Sequence, residues 1–226
     1  GIVMYVMKNS KQVELSDRVR FRCTRCGDCC RHVEGVVAVE SLDAYNLAKH
    51  LGITISDFFT DYTEPYYLED TQYPIFTLKA VGKEKTCIFL KGNRCTVQDV
   101  KPRTCRMYPF WIGPGETAEE FTYNFSTERR HHPKGSLVKV KDWMREHFLE
   151  EEKRFLIEDS KAMEKIAPLF NELRHSSYNK ERLLRQILML RYFNYETDKP
   201  FFEQHKQNSE DLLAIFEEEL KRLKSV

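Results

Sequence analysis

The stretch Cys23-Thr24-Arg25-Cys26-Gly27-Asp28-Cys29-Cys30 places four thiols within eight residues. Core cysteines behave as small apolar residues and have no reason to concentrate in this way. Chelation of a metal does require several soft ligands on a short, turn-forming segment. Gly27 supplies the free backbone that such a loop needs. The stretch therefore indicates a metal-binding loop.

Two further cysteines flank a hairpin signal. Cys87 precedes and Cys95 follows the turn Lys91-Gly92-Asn93, with apolar residues on both sides. If the loop has three residues, both side chains lie on one face, diagonal to one another. If it has two residues, they lie on opposite faces, so the register decides whether the two sulfurs meet.

The seventh cysteine, Cys105, lies between Pro102 and Pro109. Pro102 predicts the start of a single helical turn and Pro109 predicts its end, so Cys105 is expected on a rigid knuckle. Seven is an odd number, and disulfides alone would leave one thiol unpaired. The count therefore favours metal binding.

The composition is that of a folded protein with a sizeable core, since 41% of the 226 residues are hydrophobic and 12% are aromatic. The formal net charge of +1 provides no global field that would favour nucleic acid or an anionic membrane. The apolar run at residues 2–7 is too short for a membrane span or a signal peptide, so we expect neither insertion nor export. The expected compartment is the reducing cytoplasm, where clustered cysteines usually bind metals.

Short strands and short helices are predicted in the first part of the chain. Residues 13–22 have an apolar pattern that predicts extended structure leading into the cysteine loop. Ser41 is the predicted N-cap of a helix that ends at Gly52. A second helix is predicted from Ser56, and a strand over residues 75–81.

Helices are predicted in the last part of the chain, where apolar residues recur at helical spacing among many charges. Pro168 is a predicted break, and Asn179 is a predicted cap of the next helix. A last helix is predicted after Pro200 or Ser209. The aromatic residues of this region are expected to pack at helix junctions.

These patterns predict the α+β class. A small cysteine-cluster metal-binding domain with short strands and helices is expected at residues 13–135, followed by a helical C-terminal region at residues 136–226. The sequence contains no dinucleotide fingerprint, no phosphate-cradling glycine loop, no serine elbow and no paired histidines of a metalloprotease, so it identifies no catalytic residue.

Four motifs in order resemble a known family. They are Cys23-x-x-Cys26-x-x-Cys29-Cys30, Cys87-x-Phe89-Leu90, Cys95-Thr96-Val97 and Arg103-x-Cys105-Arg106-x-Tyr108-Pro109. The chain is similar in these motifs to the CxxCxxCC zinc- or iron-chelating family, also called YkgJ-like cysteine-cluster proteins. The resemblance covers about residues 21–135 and extends distantly to the cluster region of flagellin lysine N-methylases. It implies metal binding.

The chain departs from the family at one point. Many relatives have a further cysteine followed by proline and glycine, where this chain has His132-Pro133-Lys134-Gly135. The resemblance therefore suggests His132 as a substitute ligand, although an exposed loop histidine is the more common role. The predicted metal ligands are Cys23, Cys26, Cys29, Cys30, Cys87, Cys95 and Cys105, with His132 as a weaker eighth.

The sequence does not decide whether the metal is zinc or iron. Seven thiolates and one imidazole divide into two tetrahedral zinc sets. The spacing of Cys23, Cys26 and Cys29 also suits an iron–sulfur cluster such as 4Fe-4S, although the fourth cysteine followed by proline is missing. Cys29 and Cys30 are expected to point to opposite sides if their backbone is extended, so they serve two metals, or one is a bridge or a spectator.

Three functions are compatible with this sequence. The first is a metal-binding protein whose centre is structural or stores and delivers metal. The second is a metal- or iron–sulfur-dependent enzyme with an open coordination position, for example a protein-modifying activity like that of the methylases. The third is an interaction protein whose C-terminal helices bind a protein partner. No membrane partner is expected, and there is no clear signal for nucleic acid.

Basic residues surround the first motif, namely Arg18, Arg20, Arg22, Arg25 and Arg31, and others lie near the last motif, namely Lys101, Arg103 and Arg106. A solvated face that offsets the charge of the thiolates is the simplest interpretation. A site for an anionic substrate beside the metal is the alternative.

Overall fold

The structure is a computed structural model that describes residues 9–128, 135–176 and 180–225. Contacts divide the chain into two compact units, residues 1–38 with 78–154 and residues 39–77 with 155–226. The described residues form seven α-helices and several short antiparallel strands, so the predicted α+β class with a helical C-terminal region is confirmed. The division into domains at 13–135 and 136–226 stays a prediction.

The strands are short, and most of them lie in the first unit. In chain order the strands are β1 (Ser10–Val13), β2 (Arg18–Phe21), β3 (Thr63–Tyr67), β4 (Pro74–Leu78), β5 (Ala80–Val81), β6 (Thr86–Cys87), β7 (Leu90–Lys91), β8 (Arg94–Cys95), β9 (Phe110–Pro114), β10 (Phe121–Ser126) and β11 (Ser136–Lys139). Strands β1, β10 and β9 form a three-stranded sheet in that order. The others form two-stranded pairs, β2 with β11, β3 with β4, β5 with β6 and β7 with β8.

The helices lie mainly in the second unit. In chain order they are α1 (Ser41–Leu51), α2 (Ile55–Tyr62), α3 (Arg103–Met107), α4 (Val140–His147), α5 (Glu150–His175), α6 (Lys180–Leu188) and α7 (Phe201–Lys224). A π-helical turn over Met189–Phe193 extends α6. None of the helices that the structure describes is long and apolar enough to cross a lipid bilayer.

Aromatic side chains form the core of the first unit. The ring of Trp143 lies edge-on to that of Phe21, with centroids 5.3 Å apart, and packs 5.9 Å from that of Phe110. Trp143 also donates a hydrogen bond from Nε1 to the carbonyl of the fully buried Met107, at 3.2 Å. This core fixes the positions of β2 and α3, which flank two of the cysteine motifs.

The start of α1 differs from the prediction by one residue. Glu40, not Ser41, is the N-cap, because the Glu40 side chain accepts from the backbone of Asp43 while the Asp43 carboxylate accepts from the amide of Glu40. This reciprocal capping satisfies two amides, one more than the side chain of a serine cap alone would satisfy. The predicted stop at Gly52 is confirmed, since its φ of 69° is left-handed.

The predicted break at Pro168 is wrong, because α5 continues through it. A proline inside a helix removes one backbone hydrogen bond and costs about 3 kcal/mol. Ile166, Phe170 and Leu173 lie in the same stretch and are buried in an apolar cluster with residues of α6 and α7. Burial of three such side chains contributes about 1.5–3 kcal/mol each, which outweighs the cost of the proline.

Two other predictions concern the ends of the following helices. The expected cap Asn179 lies outside the described residues. The last helix begins directly after Pro200, which leaves Ser209 inside it. Its aromatic residue Phe201 packs against Tyr195, with ring centroids 5.0 Å apart, as expected for a helix junction.

A partly buried ion pair joins the helices of the second unit. Arg191 donates to both carboxylate oxygens of Asp159, and Nε2 of His205 lies 2.8 Å from Oδ1 of the same carboxylate. The third donor of Arg191, Nε, bonds Tyr73 at 3.0 Å. Burial alone would raise the pKa of Asp159, but the charge of Arg191 and the hydrogen bonds from His205 and Arg191 lower that pKa well below its ordinary value.

Replacement of Asp159 by Asn should destabilise the second unit by about 3–5 kcal/mol, because it leaves Arg191 buried without its counter-charge. The folded-state pKa of Asp159 is depressed, so its contribution is complete above the unfolded pKa of 3.8 and is lost as the pH falls below it. The difference in unfolding free energy between wild type and Asp159→Asn should therefore shrink below about pH 4. Urea unfolding at a series of pH values measures it.

The control is an exposed ion pair on α7 in the same unit. Glu218 lies 3.7 Å from Arg222, and more than half of each side chain is exposed. Glu218→Gln should change the unfolding free energy by no more than about 0.5 kcal/mol. Equal effects of the two substitutions, or a difference that grows in acid, would contradict the role assigned to Asp159.

Candidate metal centre

The first cysteine motif forms a loop that closes with a short 3-10 turn. The turn covers Asp28–Cys30, and the amide of Cys30 donates to the carbonyl of Gly27 at 3.0 Å. Gly27 has a φ of 77°, a left-handed conformation that side chains disfavour. The chain therefore turns at Gly27, the glycine that was predicted to let the loop fold.

The 3-10 turn also corrects the expectation for the adjacent cysteines. Extended backbone would have pointed Cys29 and Cys30 to opposite sides. Because this backbone is helical, the two sulfurs lie on one side, with their Sγ atoms 3.9 Å apart. The pair can therefore face one metal together.

Arg31 fastens this loop to the hairpin of β7 and β8. Its Nη1 donates to the carbonyl of Cys26 at 2.9 Å, and its Nη2 donates to Oδ1 of Asn93 at 2.9 Å and to the carbonyl of Gly92 at 3.3 Å. The guanidinium has several fixed donors, so one side chain holds two backbone segments. The loop with Cys26 and the tip of the hairpin with Cys95 are thus held together.

The hairpin has the two-residue loop. Leu90 pairs with Cys95, and Gly92 and Asn93 alone form the turn. In a continuous hairpin this register would separate the two cysteines onto opposite faces. However, the strand is interrupted after Cys87, which belongs to β6 and pairs with Ala80 instead. The prediction from the two faces of one hairpin therefore does not apply to Cys87. The pairing of β6 with β5 positions this cysteine instead.

The pKa of the Cys87 thiol is raised overall, although two backbone amides oppose the rise. Burial raises the pKa of the Cys87 thiol, while hydrogen bonds from the amides of Phe89 and Leu90 lower it, because donors to the sulfur favour its charged form. The neighbouring Cys95 and Cys29 raise the pKa again. Cys87 is thus a buried sulfur with donors on one side and other thiols around it.

Cys105 occupies the predicted knuckle. Helix α3 begins after Pro102, whose carbonyl accepts the amide of Cys105 at 2.9 Å. Arg106 braces this turn, since it donates to the carbonyl of Lys101 at 2.7 Å and to the carboxylate of the buried Glu152. The single-turn helix that was expected between the prolines is confirmed.

Four thiols interact with one another in all six pairings. A hydrogen bond with Cys29 and then burial raise the pKa of Cys30, and Cys105 and Cys87 raise it further. Burial raises the pKa of Cys105, which Cys87 and Cys29 raise further, while Lys101 lowers it. Together with the effect of Cys29 on Cys87, these interactions link Cys29, Cys30, Cys87 and Cys105 into one group.

Cys95 lies at the edge of this group, because it interacts with Cys87 and with Cys105. Cys26 is partly buried and Cys23 is exposed, and both belong to the loop held by Arg31. All seven cysteines are free thiols. The predicted eighth ligand, His132, lies outside the described residues.

Among the residues that the structure describes, no three His, Cys, Asp or Glu side chains lie where they could hold one metal ion together. Thiolates repel one another, and metal sites of this kind commonly close when the ion enters. The donor set itself, free thiols with amide hydrogen bonds to sulfur, fits zinc or iron.

The sequence did not identify the residues that support the cysteines. Arg31 was interpreted as part of a solvated basic face, yet it joins the loop to the hairpin. Arg106 was interpreted in the same way, yet it joins the knuckle to Glu152. Each of these two arginines directly follows a cysteine in the sequence. That position could have indicated their role, since side chains beside metal ligands often orient those ligands.

The comparison with known families agrees with this geometry. Residues 22–131 match the CxxCxxCC family, which is described as a putative zinc- or iron-chelating domain. The matched segment includes all seven cysteines. No solved structure matches the chain.

Gly27→Ala should lower metal affinity about 10- to 100-fold, the range seen when the support of a metal ligand is lost. A Cβ at residue 27 would stand 2.5 Å from Nη1 of Arg31 and would displace the guanidinium. The matched control is Gly82→Ala, where φ is 74° but nothing lies within 4 Å of the new Cβ. Both variants should lose about 1 kcal/mol of stability from the left-handed backbone. Competition with a chromophoric chelator measures the affinities.

Arg31→Ala should reproduce the loss of affinity, and the double variant of Gly27 and Arg31 should add little to either single change, because both act on one contact. Arg94→Ala removes an exposed arginine from the same hairpin and serves as a second control. Additive losses in the double variant would show that Gly27 acts independently of Arg31.

Proposed function

We propose that this protein is a thiolate metal-binding protein whose seven cysteines divide into two groups. The first group is Cys29, Cys30, Cys87 and Cys105. The second is Cys23, Cys26 and Cys95, with His132 as the candidate fourth ligand. Each group then offers four donors, the number that tetrahedral zinc requires.

The distance of 3.9 Å between the sulfurs of Cys29 and Cys30 is the observation that carries this proposal. The other thiols of the first group support it, because they raise the pKa of Cys30 and of Cys105. Neighbouring thiols cannot all ionise unless a cation compensates their charge. Two thiolates bound to one ion at about 2.3 Å and at the tetrahedral angle are roughly 3.8 Å apart.

The second group rests on the contacts of Arg31. This side chain joins the carbonyl of Cys26 to Asn93, two residues before Cys95. The loop and the hairpin therefore supply their three thiols from segments that are already attached. A metal here would order the exposed Cys23, because a chelated side chain gives up its freedom only when the ion is bound.

Zinc and iron differ in what they require of these groups. Zinc, or a single iron ion, accepts two adjacent sulfurs on one atom, as the pair Cys29 and Cys30 presents them. A 4Fe-4S cluster takes its four thiolates on four different irons and would leave three cysteines over. The geometry of the pair therefore favours two thiolates on one metal atom. Either metal needs reduced thiols, so the proposed compartment is the cytoplasm.

Metal analysis of single Cys→Ser variants tests the division. Anaerobically purified wild-type protein should contain about two equivalents of zinc or iron and no inorganic sulfide. Cys30→Ser and Cys105→Ser should each lose the same one equivalent, and the double variant should lose no more than that. Cys95→Ser should lose the other equivalent. Elemental analysis and the absorption spectrum measure the result.

The matched comparison is Cys105→Ser with Cys95→Ser, since both side chains are partly buried and the chain has no cysteine outside the two groups. Loss of both equivalents in every variant would show one shared centre instead of two. A brown protein with iron and sulfide in equal amounts would replace the two groups by a cluster. Metal content unchanged by all three substitutions would overturn the proposal.

A further inference from the structure

The pair of strands β2 and β11 presents a basic face that the metal centre does not use. Arg18 and Arg20 point outward from β2, while Val19 and Phe21 between and after them are buried. On the facing strand Lys139 stands opposite Arg18, and Leu137 stands opposite Arg20. All four outward side chains are exposed.

The charges of this face are not compensated by the protein. Within the described part of the chain, Arg18, Arg20 and Lys139 form no ion pair and no side-chain hydrogen bond. The nearest acidic residues in sequence lie in the turn before β2, where the carboxylate of Asp17 accepts the amide of Glu14. Three adjacent positive charges without partners repel one another, so the face favours an anionic ligand.

The face is also rigid. The buried side chains of Val19 and Phe21 anchor β2, and Phe21 packs against Trp143. The backbone of Gly135, just before β11, approaches so closely that a Cβ would stand 2.2 Å from the carbonyl carbon of Phe21. The guanidinium and ammonium groups therefore extend from a fixed surface, which reduces the cost of ordering on binding.

We propose that this face binds the phosphate backbone of a nucleic acid, independently of base sequence. Alternate residues of a strand are about 6.6–6.8 Å apart, so Arg18 and Arg20 can contact successive phosphates of a strand laid along β2. Arginine provides fixed forked donors that match a phosphate. Two-stranded β-ribbons are also of a size that the major groove of duplex DNA admits.

A protein partner fits this face less well. Interface cores are enriched in aromatic residues and depleted in lysine, whereas Leu137, 54% exposed, is the only apolar side chain among the four. The absence of an exposed aromatic from these four positions predicts contacts to phosphates without stacking on bases. Binding should then be weak, with a dissociation constant of about 10⁻⁴–10⁻⁶ M at physiological salt, and strongly salt-dependent.

The test uses the full metal-loaded chain and fluorescence anisotropy with labelled single-stranded DNA, single-stranded RNA and duplex DNA. Wild type should bind at about 50 mM salt and lose affinity steeply towards 200 mM. The triple variant Arg18→Gln, Arg20→Gln, Lys139→Gln should bind at least about ten-fold more weakly. Its logarithmic salt slope should be lower by roughly two, since each phosphate contact contributes about 0.7–0.9.

The matched control removes three exposed basic residues of the second unit, as Lys165→Gln, Arg185→Gln and Lys206→Gln, and changes the net charge equally. It should bind like wild type. Equal losses in both triple variants, no binding by wild type at low salt, or tighter binding of an acidic peptide such as polyglutamate would overturn the proposal. Metal content measured in parallel keeps this result separate from the metal-centre proposal. The variant Arg18→Gln, Arg20→Gln, Lys139→Gln should retain all its metal.

Discussion

Repulsion among sulfurs is the constraint on which the first unit depends. Cys29, Cys87 and Cys105 raise the pKa of Cys30, and Cys87 and Cys29 raise that of Cys105, so these thiols do not ionise together unless a cation compensates their charge. Binding of the metal therefore releases protons and stabilises the fold in the same step. The chain reaches this arrangement from separate loops, which carry little apolar surface of their own.

Hydrogen bonds take the place of a large core around these loops. The paired segments β5 with β6 and β7 with β8 are only two residues long, and strands of this length have little independent stability. Arg31 and Arg106 compensate by joining backbone carbonyls and a buried carboxylate across the motifs. The side chains that support the ligands are thus charged, and they act through fixed geometry.

The second unit has a different basis for its stability. Its apolar cluster includes the fully buried Ile187, Leu212 and Phe216. Asp159, Arg191 and His205 add a polar contact that only one arrangement of the helices satisfies. Removing one partner of such a pair would leave the other charge uncompensated.

The parts of the structure that follow from local rules were predictable. The spacing of the cysteines, the helical turn after Pro102 and the stop at Gly52 depend on a few neighbouring residues. The continuation of α5 through Pro168 was not predictable, because it depends on burial against segments far away in sequence. The meeting of Cys29 with Cys30 depended on a 3-10 turn that the spacing alone does not specify.

The sequence showed the arginines of the basic face but not Lys139, and the reason is physical. The net charge of +1 averages over the whole chain, whereas the face arises when β11 pairs with β2 and brings Lys139 beside Arg18. Pairing between strands more than a hundred residues apart concentrates charge that composition hides. Local field, not total charge, decides which ligands a surface attracts.

The two-residue turn at Gly92 and Asn93 has a consequence for how this sequence can change. Arg31 reaches the carbonyl of one residue and the side chain of the other, and a side chain has a fixed reach. Lengthening the turn would carry both acceptors beyond that reach, even if every cysteine were kept. The length of the turn between β7 and β8 is therefore constrained. Insertions are better tolerated between β9 and β10, where residues 115–120 form a connecting loop.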